Sequence, residues 1–266
     1  ITYASEPNQR TPAYLCIPKT ALSGRVAPGV LCLHPTENII GHMVVVGLGG
    51  KAHRQYASEL AERGFVTISP SYPQLAKYQP DLKGLGYESG TMKAIWDNIR
   101  AMDVLDSLTS VKHGAYAAIG HSLGGHNSVY TAAFDDRIKV IVSSSGLDSY
   151  PDYYGGKPDV WEHGKGWCQD RYMPKLAEYR GRLNEIPFDF PEIIGVLAPR
   201  HVFINSPLRD SNFRWQSVDK VVKAASAVYA LHHAEANLQV EHPDSEHDFP
   251  DEQRFKAYAL IEKVLK

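Results

Sequence analysis

The chain has 266 residues, 43% hydrophobic and 22% charged, a composition that can build a sizeable core and excludes intrinsic disorder. Its 28 basic and 30 acidic residues leave a net charge of −2 with no block of like charge, which argues against a nucleic-acid partner and a polybasic membrane contact. The odd set Cys16, Cys32 and Cys168 contains no Cys-x-x-Cys pair, so a fully paired disulfide framework is excluded, and no apolar run reaches transmembrane length.

Strand-like and helix-like segments alternate along the chain, the pattern of a mostly parallel sheet covered on both faces. Residues 11–18 and their flanks suggest an opening hairpin. Val30–Leu33 reads as a buried strand ending at His34-Pro35. Tyr56 to Arg63 reads as a helix stopped by Gly64, and Phe65–Ser69 as the next strand, closed by Pro70. Met92, Ile95, Trp96, Ile99 and Met102 recur at helical spacing. Strands follow at Tyr116–Ile119, Ile138–Ser143 and Val202–Asn205. Val218, Val221, Val222, Ala225 and Val228 mark another helix, Leu238–Glu241 a last strand, and Phe255, Tyr258, Ile261 and Val264 the closing helix. The whole chain, 1–266, reads as a single α/β domain. Residues 149–198 break the rhythm: they are rich in Tyr, Trp, Pro and Gly, and read as an insertion or lid-like excursion between two strands.

The decisive segment is Gly120-His121-Ser122-Leu123-Gly124-Gly125, a G-x-S-x-G pattern directly after an apolar strand and before a helical stretch. A serine nucleophile on so tight a strand-to-helix turn needs neighbours without Cβ atoms, which Gly120 and Gly124 supply. The turn aims the helix N-terminus and the Leu123 N–H at developing negative charge.

A base and an acid must then follow in the order Asp or Glu, then His. His242 and His247 both lie after the last strand. His247 is favoured because a loop residue can reach over the sheet edge, whereas the direction of a residue still on the strand is set by the pleat. Asp210 is the first carboxylate after Val202–Asn205 and would hold the imidazole tautomer. Asp148, after the preceding strand, is its rival, and Asp219 reads as a helix-start cap or dipole partner. A second oxyanion donor should come from His34-Pro35-Thr36. Pro35 has no N–H, which leaves Thr36.

Taken together, Leu33-His34-Pro35-Thr36, Gly120-His121-Ser122-Leu123-Gly124-Gly125-His126, Pro207-Leu208-Arg209-Asp210 and His247-Asp248-Phe249-Pro250 resemble the dienelactone-hydrolase-like branch of the α/β-hydrolase fold, which includes acetyl-xylan-esterase-like carboxylesterases. The resemblance implies Ser122, Asp210 and His247 as a triad, with Leu123 and Thr36 as oxyanion donors. Dienelactone hydrolases proper use cysteine where this chain has Ser122, which favours a general ester. The expected function is a serine hydrolase of carboxylic esters, short acyl or acetyl esters and esters of sugars included, acting on a small-molecule substrate with no metal or organic cofactor. A silent binding protein on the same fold, or a peptidase or lactonase on the same triad, is the alternative.

Tyr72, His121, Trp161 and Trp167 are the candidate substrate-binding residues. The segment Gly47-Leu48-Gly49-Gly50-Lys51-Ala52 matches a dinucleotide pattern, but no ribose-binding acid ends the next strand, so it reads as a flexible loop leading into a helix. The twelve histidines include no His-Glu-x-x-His and read as structural or solvent-facing. With Ile1 at its start and no signal-peptide pattern, the chain is expected to be soluble, cytoplasmic or secreted after loss of a leader. Its oligomeric state is left open.

Overall fold

The computed structural model describes residues 1–266. Its strands are β1 (Thr2–Glu6), β2 (Gln9–Cys16), β3 (Ala27–Leu33), β4 (Val66–Pro70), β5 (Val111–His121), β6 (Ile138–Ser144), β7 (His201–Asn205) and β8 (Leu238–Glu241). They form one sheet in the order β1-β2-β4-β3-β5-β6-β7-β8. The pairings β1–β2 and β2–β4 are antiparallel; every pairing from β4 to β8 is parallel. The helices are α1 (Lys19–Leu22), α2 (Tyr56–Glu62), α3 (Gly90–Asp106), α4 (Leu123–Phe134), α5 (Phe190–Val196), α6 (Trp215–Leu231) and α7 (Asp251–Leu265).

The central strands are near-continuous apolar runs because helices cover both faces. In β3, Leu31 and Leu33 face one core with α3, α4, α5 and α6, while Val30 and Cys32 face the other with α2 and α7. The same period-two division splits Ala118 from Ala117 and Ile119 in β5, and Ile141 from Val140 and Val142 in β6. All parallel strands end at one edge. The loops after β3, β5, β7 and β8 therefore converge there, bringing Thr36, Ser122, Asp210 and His247 to one rim.

Two local expectations, the buried face of α3 and the role of Asp219, are corrected, and one, the loop reading of the glycine-rich segment, gains a reason. In α3 the apolar spacing includes Met92 and Trp96, yet both are substantially exposed. The buried face instead carries Ala94, Ile95, Ala101, Met102 and Leu105 together with Lys93 and Asp97. Those two charges pair with each other, and Asp97 also accepts from Thr11 at 2.8 Å and Tyr78 at 3.0 Å, fastening the opening hairpin to α3. The apolar run before the glycine-rich segment is a 3-10 helix, Gly41–Val46, and not a strand, which removes the context a dinucleotide motif requires. Asp219 lies inside α6, where it bonds His242 Nε2 at 2.9 Å and does not cap the helix.

Residues 149–198 contain five short 3-10 turns and α5. Their aromatic side chains Tyr150, Tyr153, Trp161, Trp167 and Tyr172 are buried in the same core as the α4 face of the sheet. Asp189 caps α5 and also accepts from Ser149 and from the Tyr150 N–H at 3.1 Å, so both ends of the excursion are tied together. All three cysteines are free. No helix is long and apolar enough to cross a membrane.

Candidate active site

Ser122 stands between the last residue of β5 and the first of α4, with φ 55° and ψ −122°. That left-handed region is costly for a side chain bearing a Cβ, and strain of this kind persists only where the surroundings over-determine it. The surroundings here are close-packed backbone. A Cβ on Gly120 would lie 2.2 Å from the Gly124 carbonyl carbon, and one on Gly124 would lie 2.0 Å from the Leu33 oxygen. The turn is held by Ser122 N–H donating to Ser144 O at 2.7 Å and by His126 N–H donating to Ser122 O at 2.9 Å.

The acid and the base meet because the β7–β8 ladder continues into the following loops. Ser206 N–H donates to Glu241 O at 2.8 Å, Leu208 N–H to Pro243 O at 3.0 Å and Arg209 N–H to Ser245 O at 3.0 Å. This register delivers Asp210 Oδ2 to 2.9 Å from His247 Nδ1. Only 1% of the Asp210 side chain is exposed, and its other oxygen accepts the N–H groups of Asn212 at 2.8 Å and Phe213 at 3.2 Å. Nδ1 thus has a fixed acceptor, and Nε2 is the nitrogen left for proton transfer. His247 and Ser122 line the same cleft without a hydrogen bond between them, and loose pairs of this kind tighten as substrate binds.

The segment carrying His247 is anchored by its neighbour. Asp248 accepts from Arg54 Nη1 at 2.6 Å and bonds His53 Nδ1 at 2.7 Å, and its carbonyl accepts from Asn205 Nδ2 at 2.9 Å. Arg54 is almost wholly buried. Nothing in the sequence flagged it, because its partner lies 194 residues away.

On the opposite wall, the buried His34 accepts the Tyr72 N–H on Nε2 at 2.9 Å, so its Nδ1–H donates to Pro35 O at 2.7 Å. Burial pushes its pKa down to about 3, which keeps this neutral tautomer in place. The bond sets the turn that presents Thr36, whose hydroxyl bonds Tyr172 at 2.8 Å while its N–H has no acceptor in the protein. Leu123, the first residue of α4, has no intrahelical acceptor for its N–H either.

The rival candidates sit elsewhere. Asp148 is buried against the Arg214 N–H at 3.0 Å and makes no hydrogen bond with His247; burial pushes its pKa up to about 8. His242 is engaged at both nitrogens, by Ser206 O at 2.8 Å and by Asp219.

Ser122 lies where two lobes of the cleft join. The larger, about 370 Å³, is lined by Thr36 and Leu123 with the aromatic rings of Tyr153, Tyr154, Trp167, Tyr172 and Phe213, and by Gln169, Arg171 and Asn212. The smaller, about 120 Å³, contains His247 and His121. Trp167 is fixed by stacking on the fully buried His126, ring centroids 4.0 Å apart. Two expected substrate contacts are not in the cleft. Trp161 is 1% exposed and packs edge-on against Tyr150 and Tyr153, behind the lobe wall. Tyr72 spends its hydroxyl on Arg171 O at 2.7 Å and its ring on Tyr172, holding the excursion in place. Phe213, Asn212, Gln169 and Arg171 were not singled out beforehand, since they carry no spacing signal and become neighbours of Ser122 only through tertiary packing. No group of three or more His, Cys, Asp or Glu side chains is placed to hold a metal ion.

With this geometry in view, comparison with known proteins is specific. The model of the fungal glucuronyl esterase family matches residues 81–232, which include Ser122 and Asp210. The chain belongs to the glucuronyl esterase family. The Bacillus subtilis protein YtaP, named as a hydrolase, is 29% identical over 148 residues, covering 51% of this chain and 41% of that protein. The carbohydrate esterase MZ0003, from an unknown prokaryote, is 25% identical over 132 residues, 49% of this chain and 31% of that protein. These matches therefore span less than half the length of either relative. The glucuronoyl esterase from Solibacter usitatus superposes with a TM-score of 0.72 at 18% identity, covering 98% of this chain and 79% of that one, a likeness of α/β-hydrolase fold. The family is narrower than the dienelactone-hydrolase-like resemblance and lies within the same fold, on its carbohydrate-esterase side.

Proposed function

We propose that this member of the glucuronyl esterase family is a serine hydrolase of carbohydrate carboxylic esters, acting through an acyl-enzyme on Ser122. One observation carries the reading: a histidine held at 2.9 Å from a buried carboxylate shares a cleft with a serine on a strained, glycine-flanked turn. Ser122 Oγ attacks the ester carbonyl carbon while His247 Nε2 takes its proton. The N–H groups of Leu123 and Thr36 receive the oxyanion. His247 then returns the proton to the leaving alcohol oxygen, and water activated by the same nitrogen releases the acid.

This sequence of steps assigns the lobes. The leaving oxygen must be within reach of His247, so the alcohol departs through the smaller lobe. The acyl group stays on Ser122 beside Leu123, in the larger one. A cavity of about 370 Å³ with aromatic walls and three amide or guanidinium side chains exceeds what an acetyl group needs and suits a sugar-sized acid. Ester panels test this: the methyl ester of a uronic acid is expected to be hydrolysed with higher kcat/KM than an acetylated sugar. Ser122→Ala should lose activity on the order of 10⁶-fold and all labelling by a fluorophosphonate. Labelling that persists in the Ser122→Ala protein would remove this serine from the mechanism.

A further inference from the structure

The smaller lobe carries more charged side chains than the larger one, Glu37, Lys51 and Arg54 against Arg171. Val44 and Pro35 are the apolar residues among its lining groups; the others include Glu37, Lys51, Arg54, His121 and Thr36. Several of these polar groups lack partners. Lys51 is exposed, and its Nζ makes neither a hydrogen bond nor an ion pair within the protein. Glu37 uses Oε1 to accept the Ile39 N–H at 2.9 Å, and its second oxygen is unengaged. His121 is 1% exposed and bonds Ser144 Oγ through Nδ1 at 2.9 Å, while its Nε2 is buried without a partner. Arg54 is neutralised by Asp248. The lobe therefore offers a cationic donor, an anionic acceptor and an imidazole nitrogen that do not satisfy one another.

The glycine-rich segment singled out in the sequence explains how Lys51 comes to be there. Gly49 and Gly50 take φ of 116° and 85°, and a Cβ on Gly50 would lie 2.6 Å from Val44 Cγ2. Only a chain without side chains at these positions can fold back onto Val44 and bring the following lysine to the lining of the lobe that also holds His247. The motif serves this lobe and not a nucleotide.

We propose that this lobe selects the leaving alcohol, and that the alcohol is a polyol, with Lys51 donating to one of its hydroxyl oxygens and Glu37 accepting from another. A hydroxyl is both donor and acceptor, so two vicinal hydroxyls satisfy both charges at once. An alkyl or aryl alcohol would engage neither charge and would displace part of their water without replacing its hydrogen bonds. At about 120 Å³ the lobe encloses the first few atoms beyond the ester oxygen, the size of a glycerol unit or one edge of a sugar ring. The inference rests on the proposed hydrolase mechanism, because it takes the His247 side as the leaving-group side.

The test uses the glyceryl and n-propyl esters of one uronic acid, with hydrolysis followed by release of acid. The wild-type chain is expected to prefer the glyceryl ester at least tenfold in kcat/KM. In Lys51→Met that preference should fall about tenfold, mainly through KM, and Lys51→Arg should restore most of it. Glu37→Gln should reduce it as well. A wild-type preference for the propyl ester, or a preference unchanged by Lys51→Met and Glu37→Gln, overturns the assignment. Turnover of neither ester, with Ser122 unreactive to a fluorophosphonate, would instead overturn the hydrolase reading on which it stands.

Discussion

Replacing Asp148 with Asn separates the two buried carboxylates that could serve the histidine. Asp148 accepts the Arg214 N–H at 3.0 Å and has no cation within 4 Å. Burial, reinforced by the charges of Asp152 and Asp210, pushes its pKa up to about 8. In the unfolded chain the same group releases its proton near pH 4. Between these values the folded chain holds a proton that the unfolded chain has lost, so stability falls as pH rises through that window and levels off above pH 8. At about 1.4 kcal/mol per unit, the three units from pH 5 to pH 8 amount to about 4 kcal/mol, and relaxation around a buried charge reduces this to about 2 kcal/mol. Asn keeps the acceptor for Arg214 and removes the proton. Urea denaturation should therefore show Asp148→Asn gaining about 2 kcal/mol on the wild type between pH 5 and pH 8. Its esterase activity should stay near wild type, whereas Asp210→Asn should lose on the order of 10⁴-fold in kcat. A stability gap that does not change with pH would refute the buried neutral carboxyl. Loss of activity in Asp148→Asn with retention in Asp210→Asn would move the acid to the earlier strand.

Other perturbations follow from close contacts. Gly124→Ala places a Cβ 2.0 Å from the Leu33 oxygen, so the elbow cannot form as it stands; a fall in Tm with loss of fluorophosphonate labelling is expected. Trp167→Ala removes a wall of the larger lobe and should raise KM for a uronic ester at least tenfold with a smaller change in kcat, read from steady-state kinetics. Arg54→Met leaves Asp248 with only His53 among its side-chain partners and loosens the segment that carries His247. Its kcat should fall about tenfold while labelling of Ser122 slows in parallel, and labelling at the wild-type rate would show that this anchor does not position the base.

Much of the fold and the outline of the cleft could be read along the chain. Alternating periods of two and 3.6 residues predict a helix-covered parallel sheet because each element must bury one face or both. The glycines around Ser122 are legible because a left-handed serine turn tolerates no neighbouring Cβ. The candidate acid and base, Asp210 and His247, follow from strand order, since parallel strands deliver their following loops to one edge. Tertiary structure decided the rest. Trp161 and Trp167 are alike in composition and local setting, yet one lies behind the wall and the other lines it, because packing of the excursion on His126 sorts them. Arg54 reaches Asp248 across most of the chain, and no local pattern encodes such a partner. The glycine-rich loop could be told from a nucleotide site by its missing acid, but its placement of Lys51 in the lobe that also holds His247 depends on how it folds against Val44. Periodicity and turn chemistry act between near neighbours in sequence. The selectivity of a cleft depends on side chains that become neighbours only after the sheet has closed its layers around them.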